Sequence, residues 1–252
     1  DNTFMEVILA EYLGFCYGVK RAIRLARSSA PPGGACTLGP IIHNPQMVAR
    51  LASEGVGTVN SLADMPDGGT IIIRSHGVGP AVYEEAKAKK LHLVDATCPH
   101  VKKAQMAAHE LAEQGYTVVI IGEKKHPEVK SIFEWSGEKA IVIESEAEAS
   151  ALQSYGKLGI VAQTTFSAER FRQIVTRLLD KSNDIHIVRT ICTATDQRQA
   201  AAMSLAAEVD LMLVIGGKNS ANTTRLAQLC AQQCQTYHIE TADEIQDSWF
   251  NK

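Results

Sequence analysis

Several features that would assign this chain to a simple class are missing from its 252 residues. No apolar run approaches the roughly 20 residues that a helix needs to cross a bilayer, and no basic segment followed by an apolar core marks a secretory signal. The net charge of −3 argues against a general nucleic-acid-binding surface. No two cysteines have the Cys-x2-Cys spacing of a structural zinc site. We therefore expect a globular protein with neither a membrane span nor a nucleic-acid partner.

The six cysteines are spread widely along the chain, unlike the dense pattern of a small disulfide scaffold. This distribution predicts reduced thiols and a cytoplasmic location. Cys36, Cys230 and Cys234 share no local context. The last two lie four residues apart on a helix-like segment, so we predict that they are packing residues.

The other three cysteines share one local context. Cys16 opens the segment Cys-Tyr-Gly-Val-Lys-Arg-Ala, Cys98 opens Cys-Pro-His-Val-Lys-Lys-Ala, and Cys192 opens a looser copy. Each follows a short apolar or small-residue stretch and precedes a helix-like segment. A single cysteine is most often a small buried hydrophobe, but the repetition indicates a common role. Three thiolates from three similar units suit a metal cluster with one position left open to substrate.

Short apolar runs alternate with amphipathic, helix-forming segments along the whole chain. Continuous β-branched runs are typical of strands that are buried on both faces of a parallel sheet. The alternation therefore predicts an α/β fold with right-handed crossovers. The cysteine repeat divides it into three similar units with small parallel sheets: residues 16–98, residues 99–190, and residues 191–252 together with an N-terminal strand at 5–13.

Polar motifs follow five of the apolar runs, where ligands collect at the carboxyl ends of parallel strands. The motifs occupy residues 39–45, 74–79, 122–128, 163–167 and 216–222. Together they contain three histidines, two carboxylates (Glu123 and Glu128), several hydroxyls and amides, and glycine-rich backbone. This set predicts a pocket for a multiply charged anion beside a proton donor.

Each of these residues also has a structural alternative. A histidine before glycine or proline is often a turn or capping residue, which applies to His76 and His126. Glu128 falls in the first turn of a predicted helix, where the helix dipole alone favours a carboxylate. In a pocket with a metal cluster and an anion, the same carboxylate could stay partly protonated and deliver protons. The motif at 216–218 lacks the spacing of a P-loop, which excludes nucleotide hydrolysis.

The motifs resemble those of the LytB/IspH family of 4-hydroxy-3-methylbut-2-enyl diphosphate reductases, iron–sulfur enzymes that end the non-mevalonate isoprenoid pathway. They occur in family order over nearly the whole chain. The matching stretches are Gly14 to Val19, Ile42-His43-Asn44, Arg74 to Val78, Asp95 to Pro99, His126 to Val129, Gln163-Thr164-Thr165, Thr190 to Gln199, and Lys218 to Asn222.

The resemblance implies a pseudo-threefold trefoil of α/β units around a [4Fe–4S] cluster. Cys16, Cys98 and Cys192 would hold the cluster, and its one open iron would bind the hydroxyl of an allylic diphosphate substrate. Glu128 would deliver protons, assisted by Thr164 and His126. Reduced ferredoxin or flavodoxin would donate the electrons. The implied diphosphate contacts are His43, His76, His126, Gln163, Ser220, Ala221 and Asn222.

The chain departs from the family pattern in two places. Ala221 stands where many members have a second hydroxyl residue, although its backbone N–H could still donate to the diphosphate. Family members also continue beyond residue 252 through a further strand and a Gly/Ser motif. We therefore expect the third unit to lack a C-terminal segment.

Two other readings remain open at this point. A three-cysteine iron–sulfur dehydratase resembling quinolinate synthase would need arginines at the strand ends for carboxylate substrates, and Arg74 is the one arginine in such a place among the motifs. An iron–sulfur sensor would need a labile cluster and a partner surface. Such a sensor has little reason to bring His126, Glu128 and Thr164 together.

Overall fold

The computed structural model describes residues 5–250, in which strands and α-helices alternate. The chain forms two compact units. The larger unit spans Cys16–Cys192, and the smaller combines the described parts of Asp1–Phe15 and Thr193–Lys252. Within the described range, the helices are too short or too polar to cross a membrane.

The first half of the larger unit contains a four-stranded parallel sheet in the order β2-β1-β3-β4. Its elements are α1 (Tyr17–Ser28), β1 (Ala35–Leu38), α2 (Pro45–Ser53), β2 (Val56–Val59), β3 (Thr70–Ile73), α3 (Pro80–Ala88) and β4 (His92–Asp95). The central strand β3 is buried along its whole length, as its continuous β-branched sequence predicts.

The second half of the larger unit repeats this plan, with strands in the order β6-β5-β7-β8. The pairs are again parallel. The elements are α4 (Pro99–Glu113), β5 (Thr117–Ile121), α5 (Pro127–Trp135), β6 (Ile141–Ile143), α6 (Glu146–Ala151), β7 (Leu158–Ala162), α7 (Ala168–Leu178) and β8 (Ile185–Ile187). A 3-10 turn at Leu179–Lys181 follows α7, as another at Leu62–Asp64 precedes β3.

Helices cover both faces of this second sheet. On one face, Val119 and Ile160 pack with Phe171 and Ile174 of α7. On the other face, β5 and β7 pack against α4 and α5, in a cluster that includes Ala104, Ala108, Leu111, Val118, Ile120, Val129, Ile132 and Val161. The alternation of side chains between faces explains why consecutive residues of β5 belong to different clusters.

The smaller unit contains a two-stranded parallel sheet. Its elements are α8 (Thr193–Ala206), β9 (Leu211–Ile215), α9 (Ala221–Cys230) and β10 (Gln235–Ile239), followed by 3-10 turns at Ala242–Glu244 and Asp247–Trp249. Cys230 is fully buried between the helices and the sheet, among Ala202, Ala206, Met212 and Val214. This confirms its predicted packing role.

The predicted α/β class with small parallel sheets is confirmed, and short apolar runs such as those of β7 and β9 form its strands. The trefoil arrangement and the three-unit division stay predictions. The strand predicted at residues 5–13 is wrong, because residues 5–15 contain no strand. A strand exists only with a hydrogen-bonded neighbour, and the apolar side chains of this segment, such as Val7 at 75% exposure, lie in solvent instead.

Candidate active site

Each of the three candidate cysteine ligands directly precedes a helix. Cys16 and Cys98 are the N-caps of α1 and α4, and neither uses its side chain as a cap. A Cβ on Gly18 would lie 2.5 Å from the Cys98 sulfur and 4.0 Å from the Cys16 sulfur, so the two thiols converge on this glycine. Cys192 precedes α8, and its backbone N–H donates to the Thr164 carbonyl at 3.0 Å.

The surroundings of the Cys98 thiol disfavour its charged form in the absence of a cation. Burial raises the pKa of the Cys98 thiol, backbone hydrogen bonds at His100 and Val101 oppose the rise, and the neighbouring Cys16 thiol adds to it. Two adjacent thiolates need a cation to stabilise them, and a metal supplies it. Cys16 and Cys98 are free thiols, so these two candidate ligands are chemically available. The missing Cβ of Gly18 and the uncommitted cap side chains make this donor set compatible with a thiolate-bound cluster.

Three strand-end loops of the larger unit bring His43, His76 and His126 together. The ring centroids of His43 and His76 are 4.2 Å apart, and each lies 5.3 to 5.5 Å from that of His126. Both ring nitrogens of His43 and Nδ1 of His76 are buried without a hydrogen-bond partner among the described residues. The site therefore presents convergent imidazole nitrogens that are ready to bind a ligand.

The positive charge of Arg74 indicates whether the three histidines would bind an anion or a metal ion. Burial lowers the pKa of His126 to about 4, and the Coulombic effects of His43 and Arg74 add to this shift. The pKa values of His43 and His76 are lowered by the same kind of burial, with Arg74 contributing to both. The three histidine nitrogens lie within 4.8 Å of one another, which a transition metal could bridge. The partly buried Arg74 guanidinium beside them, which also interacts with Glu134, favours an anion over a divalent cation.

The Nδ1 atom of His126 has a defined role at the start of α5. It accepts a hydrogen bond from the Glu128 backbone N–H at 3.2 Å, so His126 is the N-cap of this helix. In the neutral ring, the proton then resides on Nε2. His126 can therefore cap its helix and donate a hydrogen bond to a ligand at the same time.

The Glu128 carboxylate is buried and bound by one residue. Glu128 is 3% exposed. The Thr164 backbone N–H donates to Oε1 at 2.6 Å, and the Thr164 hydroxyl donates to Oε2 at 3.0 Å. Burial raises the pKa of Glu128 to about 7, although both Thr164 hydrogen bonds act to lower it. A carboxyl with this pKa can exchange a proton near neutral pH.

Gln163 is almost fully buried and connects two loops. Its Oε1 accepts a hydrogen bond from the Glu123 N–H at 2.9 Å, and its Nε2 donates to the Thr165 hydroxyl at 3.1 Å. These bonds hold the loop before α5 against the loop before α7. The predicted contact of Gln163 with diphosphate stays a prediction.

The remaining predicted diphosphate residues belong to the smaller unit. Ser220 is the N-cap of α9, where its hydroxyl accepts from the Thr223 N–H at 3.3 Å. Ala221 and Asn222 form the first turn of this helix. A helix N-terminus favours anions, so the position is compatible with the predicted role, which is untested.

Sequence reasoning missed the importance of Arg74 as the charge beside the three histidines. The Arg-Ser-His-Gly-Val motif contained this signal, because Arg74 directly follows β3 and lies two residues before His76. The guanidinium Nε of Arg74 is buried without a partner in the described part of the chain. Burial lowers its pKa, which adds to the evidence that this group lies inside the site.

Comparison with known proteins gives one consistent answer. A family described as "LytB protein" matches residues 7–252. The curated relatives include 4-hydroxy-3-methylbut-2-enyl diphosphate reductases from Geotalea uraniireducens, 50% identical, and Geobacter metallireducens, 51% identical. Each alignment covers 98% of this chain and 88% of the relative.

Two solved structures are similar to the chain. One is titled as (E)-4-hydroxy-3-methyl-but-2-enyl diphosphate reductase, the terminal enzyme of the non-mevalonate pathway. It has a TM-score of 0.73 and 44% identity, and the match covers 97% of this chain and 89% of that one. The other is the corresponding reductase from Plasmodium falciparum, with a TM-score of 0.89, 30% identity, and coverage of 94% and 76%.

Proposed function

Because this chain belongs to the LytB protein family, we propose that it is an iron–sulfur reductase acting on 4-hydroxy-3-methylbut-2-enyl diphosphate. The products are isopentenyl diphosphate and dimethylallyl diphosphate. One observation in the structure carries the proposal. The buried Glu128 carboxyl, with its pKa near 7, begins the same helix as His126, whose ring lies against His43 and His76. A proton donor thus adjoins an anion site.

The proposed cofactor is a [4Fe–4S] cluster held by Cys16, Cys98 and Cys192. Support comes from the convergence of two thiols at Gly18 and from the hydrogen bond that links Cys192 to Thr164. When bound, the cluster would supply electrons and, at one iron without a protein ligand, a Lewis acid for the substrate hydroxyl.

The chain's own residues supply protons and orientation. The reaction takes up two electrons and two protons, breaks the carbon–oxygen bond of the hydroxyl, and releases water. Glu128 donates a proton toward the departing hydroxyl, and Thr164 holds its carboxyl in place through both oxygens. The neutral His126 ring directs its Nε2–H away from the helix that it caps, where it can donate to substrate.

The diphosphate is bound by His43, His76 and His126 in the larger unit, with Arg74 contributing positive charge. Gln163, Ser220, Asn222 and the backbone N–H of Ala221 complete the proposed set. Imidazole, amide and helix N-terminal donors can bind a pyrophosphate in a protein whose net charge is −3.

The electron donor is proposed to be reduced ferredoxin or flavodoxin, and the location is proposed to be the cytoplasm. The wide spacing of the six cysteines along the chain supports a reducing compartment. The donor proposal rests on the family resemblance alone.

The proposed function is tested with anaerobic protein reconstituted with iron and sulfide. We expect visible cluster absorption and, with substrate and a one-electron reductant, formation of both isopentenyl and dimethylallyl diphosphate. Cys98→Ser should lose the cluster, whereas the matched variant Cys36→Ser should retain it, because Cys36 lies in β1. A fully assembled cluster in Cys98→Ser would remove Cys98 from the ligand set. A loaded wild-type protein that forms neither product would refute the reductase activity.

A further inference from the structure

The loop that carries His76 (residues 74–79, the His76 loop) is fixed on one side by the first sheet and the Cys98 turn. The Ser75 backbone N–H and hydroxyl donate to the Ile41 carbonyl at 3.1 and 2.9 Å. The Ser75 carbonyl accepts a hydrogen bond from the Cys98 N–H at 2.9 Å. These bonds hold the start of the loop beside a proposed cluster ligand.

The other side of the His76 loop is held by two side chains of α5. The Ser131 hydroxyl lies 3.0 Å from the His76 carbonyl oxygen, and the Trp135 indole N–H donates to the Val78 carbonyl at 2.9 Å. Ser131 and Trp135 are four residues apart, so they lie one above the other on one helix face. They therefore reach two alternate carbonyls of the same loop.

A buried glutamine on α4 orients the Ser131 hydroxyl. The Nε2 of Gln105 donates to the Ser131 oxygen at 3.1 Å, and both residues are almost completely buried. The Gln105 amide packs directly on Gly77, in the space that a Cβ would take. Gly77 has a positive φ of 72°, a conformation that glycine adopts without strain. The loop backbone can approach the glutamine because residue 77 has no side chain.

The Ser131 hydroxyl has two acceptors within reach but one proton. Its oxygen is also 2.8 Å from the Glu128 carbonyl, three residues earlier in α5. A carbonyl inside a helix already receives an intrahelical N–H. The bond to His76 connects two separate elements. Without it, the contacts of the His76 loop with α5 include the Trp135 hydrogen bond and the packing of Gly79 against the Glu134 side chain.

We propose that Ser131 and Trp135 are positioning residues that set the separation between His76 and Glu128. They touch neither reacting group. They act through the His76 loop, so that the diphosphate end and the hydroxyl end of one substrate fit the site together. This inference rests on the proposed function, because that function assigns the anion to His76 and the proton to Glu128.

The test compares Ser131→Ala with Ser136→Ala in cluster-loaded, anaerobic enzyme. Ser136 is a matched control, because it is 3% exposed and its hydroxyl donates to the carbonyl three residues back, that of Phe133, at 2.7 Å. No bond joins its hydroxyl to the His76 loop among the described residues. Trp135→Phe is the second variant; it keeps an aromatic ring and removes the indole N–H.

We expect Ser131→Ala and Trp135→Phe each to raise the Kd for inorganic diphosphate, measured by titration calorimetry, by about fivefold, as for the loss of one net hydrogen bond. The KM for the allylic substrate should rise in parallel while kcat stays near the wild-type value. Ser136→Ala should leave all three constants unchanged. Restoring the hydroxyl with Ser131→Thr should recover most of the affinity.

Two results would overturn the inference. If Ser131→Ala and Ser136→Ala change the constants equally, the effect is a general one on α5. If Ser131→Ala lowers kcat while the Kd for diphosphate is unchanged, the Ser131 hydroxyl acts on Glu128 and not on the His76 loop. If Ser131→Ala does not fold, the diphosphate Kd of Trp135→Phe is compared with that of Ser136→Ala, and equal values would overturn the inference. A wild-type enzyme that binds diphosphate without turning substrate over would count against the proposed function, and the Kd ratios would still decide the role of Ser131.

Discussion

Glu128 combines burial with two hydrogen bonds from Thr164, and these effects oppose one another. Burial is the larger effect and raises the pKa to about 7, because desolvation penalises the carboxylate more than the neutral acid. The neutral acid is therefore well populated up to about pH 7. An ordinary glutamic acid, with a pKa of about 4.3, would be fully ionised there.

This titration predicts the pH dependence of turnover. Because the protonated form is the proton donor, kcat should fall as pH rises through about 7. Thr164→Val removes the hydroxyl bond that stabilises the carboxylate, so the pKa should rise and the falling limb should move to higher pH. Thr165→Val is the control, since its hydroxyl bonds Gln163. The measurement is the pH–rate profile of each variant. If the falling limb of Thr164→Val lies at the same pH as that of the wild type, the assignment of Glu128 as the proton donor is contradicted.

The absence of a side chain at Gly18 leads to a prediction about cluster assembly. An alanine here places its Cβ 2.5 Å from the Cys98 sulfur, so the thiol or the α1 backbone must move. We expect Gly18→Ala to lower bound iron and sulfide per chain after reconstitution, while Gly156→Ala leaves them unchanged because nothing lies within 4 Å of its Cβ position. Equal iron content in the two variants would show that the Cys98 position does not limit cluster assembly.

Several of the site residues lie at the N-terminal ends of helices. Proline occupies the beginning of α2, α3, α4 and α5, where its fixed φ favours the first helical turn. Cys98 and His126 each directly precede such a proline. Cys98 and His126 thus lie between the end of a strand and the first turn of the next helix.

The double role of His126 can be separated by mutation. His126→Asn should keep an N-cap acceptor for α5, whereas His126→Ala should not, so the alanine variant should be less stable by about 1 kcal/mol. Both variants lose the ring N–H and should bind inorganic diphosphate more weakly than wild type. Urea unfolding and calorimetry measure the two effects. Equal stability of the two variants would show that the Nδ1 bond contributes nothing to α5.

Much of this arrangement could be predicted from local sequence, because strand and helix periods and Pro, Gly and Cys positions are local signals. The residues before Cys192 show the limit. Strand β8 covers only Ile185–Ile187, and beyond it the Thr190 side chain, rather than the backbone, bonds to Ala162 of β7. The contacts of Ser131 with His76 and Gln105 join residues far apart in sequence. No periodicity or motif marks such contacts, so sequence reasoning missed them.

At the scale of the whole molecule, the residues proposed to bind diphosphate are distributed over the two compact units. The histidines belong to the larger unit, and Ser220, Ala221 and Asn222 belong to the first turn of α9 in the smaller one. The Ser220 hydroxyl accepts hydrogen bonds from the Thr223 N–H and hydroxyl, which leaves its own proton to donate, and the Asn222 amide is another side-chain donor in this turn.

Asn222→Ala therefore tests whether α9 contributes to binding. We expect the KM for substrate to rise about tenfold or more, as for one lost hydrogen bond to a charged group, with unchanged cluster content. Gln228→Ala is the control, because Gln228 is an exposed residue farther along the same helix. Matching KM values for the two variants would remove Asn222 from the diphosphate site.

The most direct measurement is anaerobic turnover of wild type beside Glu128→Gln, with both proteins carrying the same amount of cluster. The wild type should form isopentenyl and dimethylallyl diphosphate. Glu128→Gln should keep the cluster absorption but turn over at least about a hundredfold more slowly, because the amide cannot donate the proton. Near-normal turnover in Glu128→Gln would contradict the role of the buried carboxyl at the centre of this site.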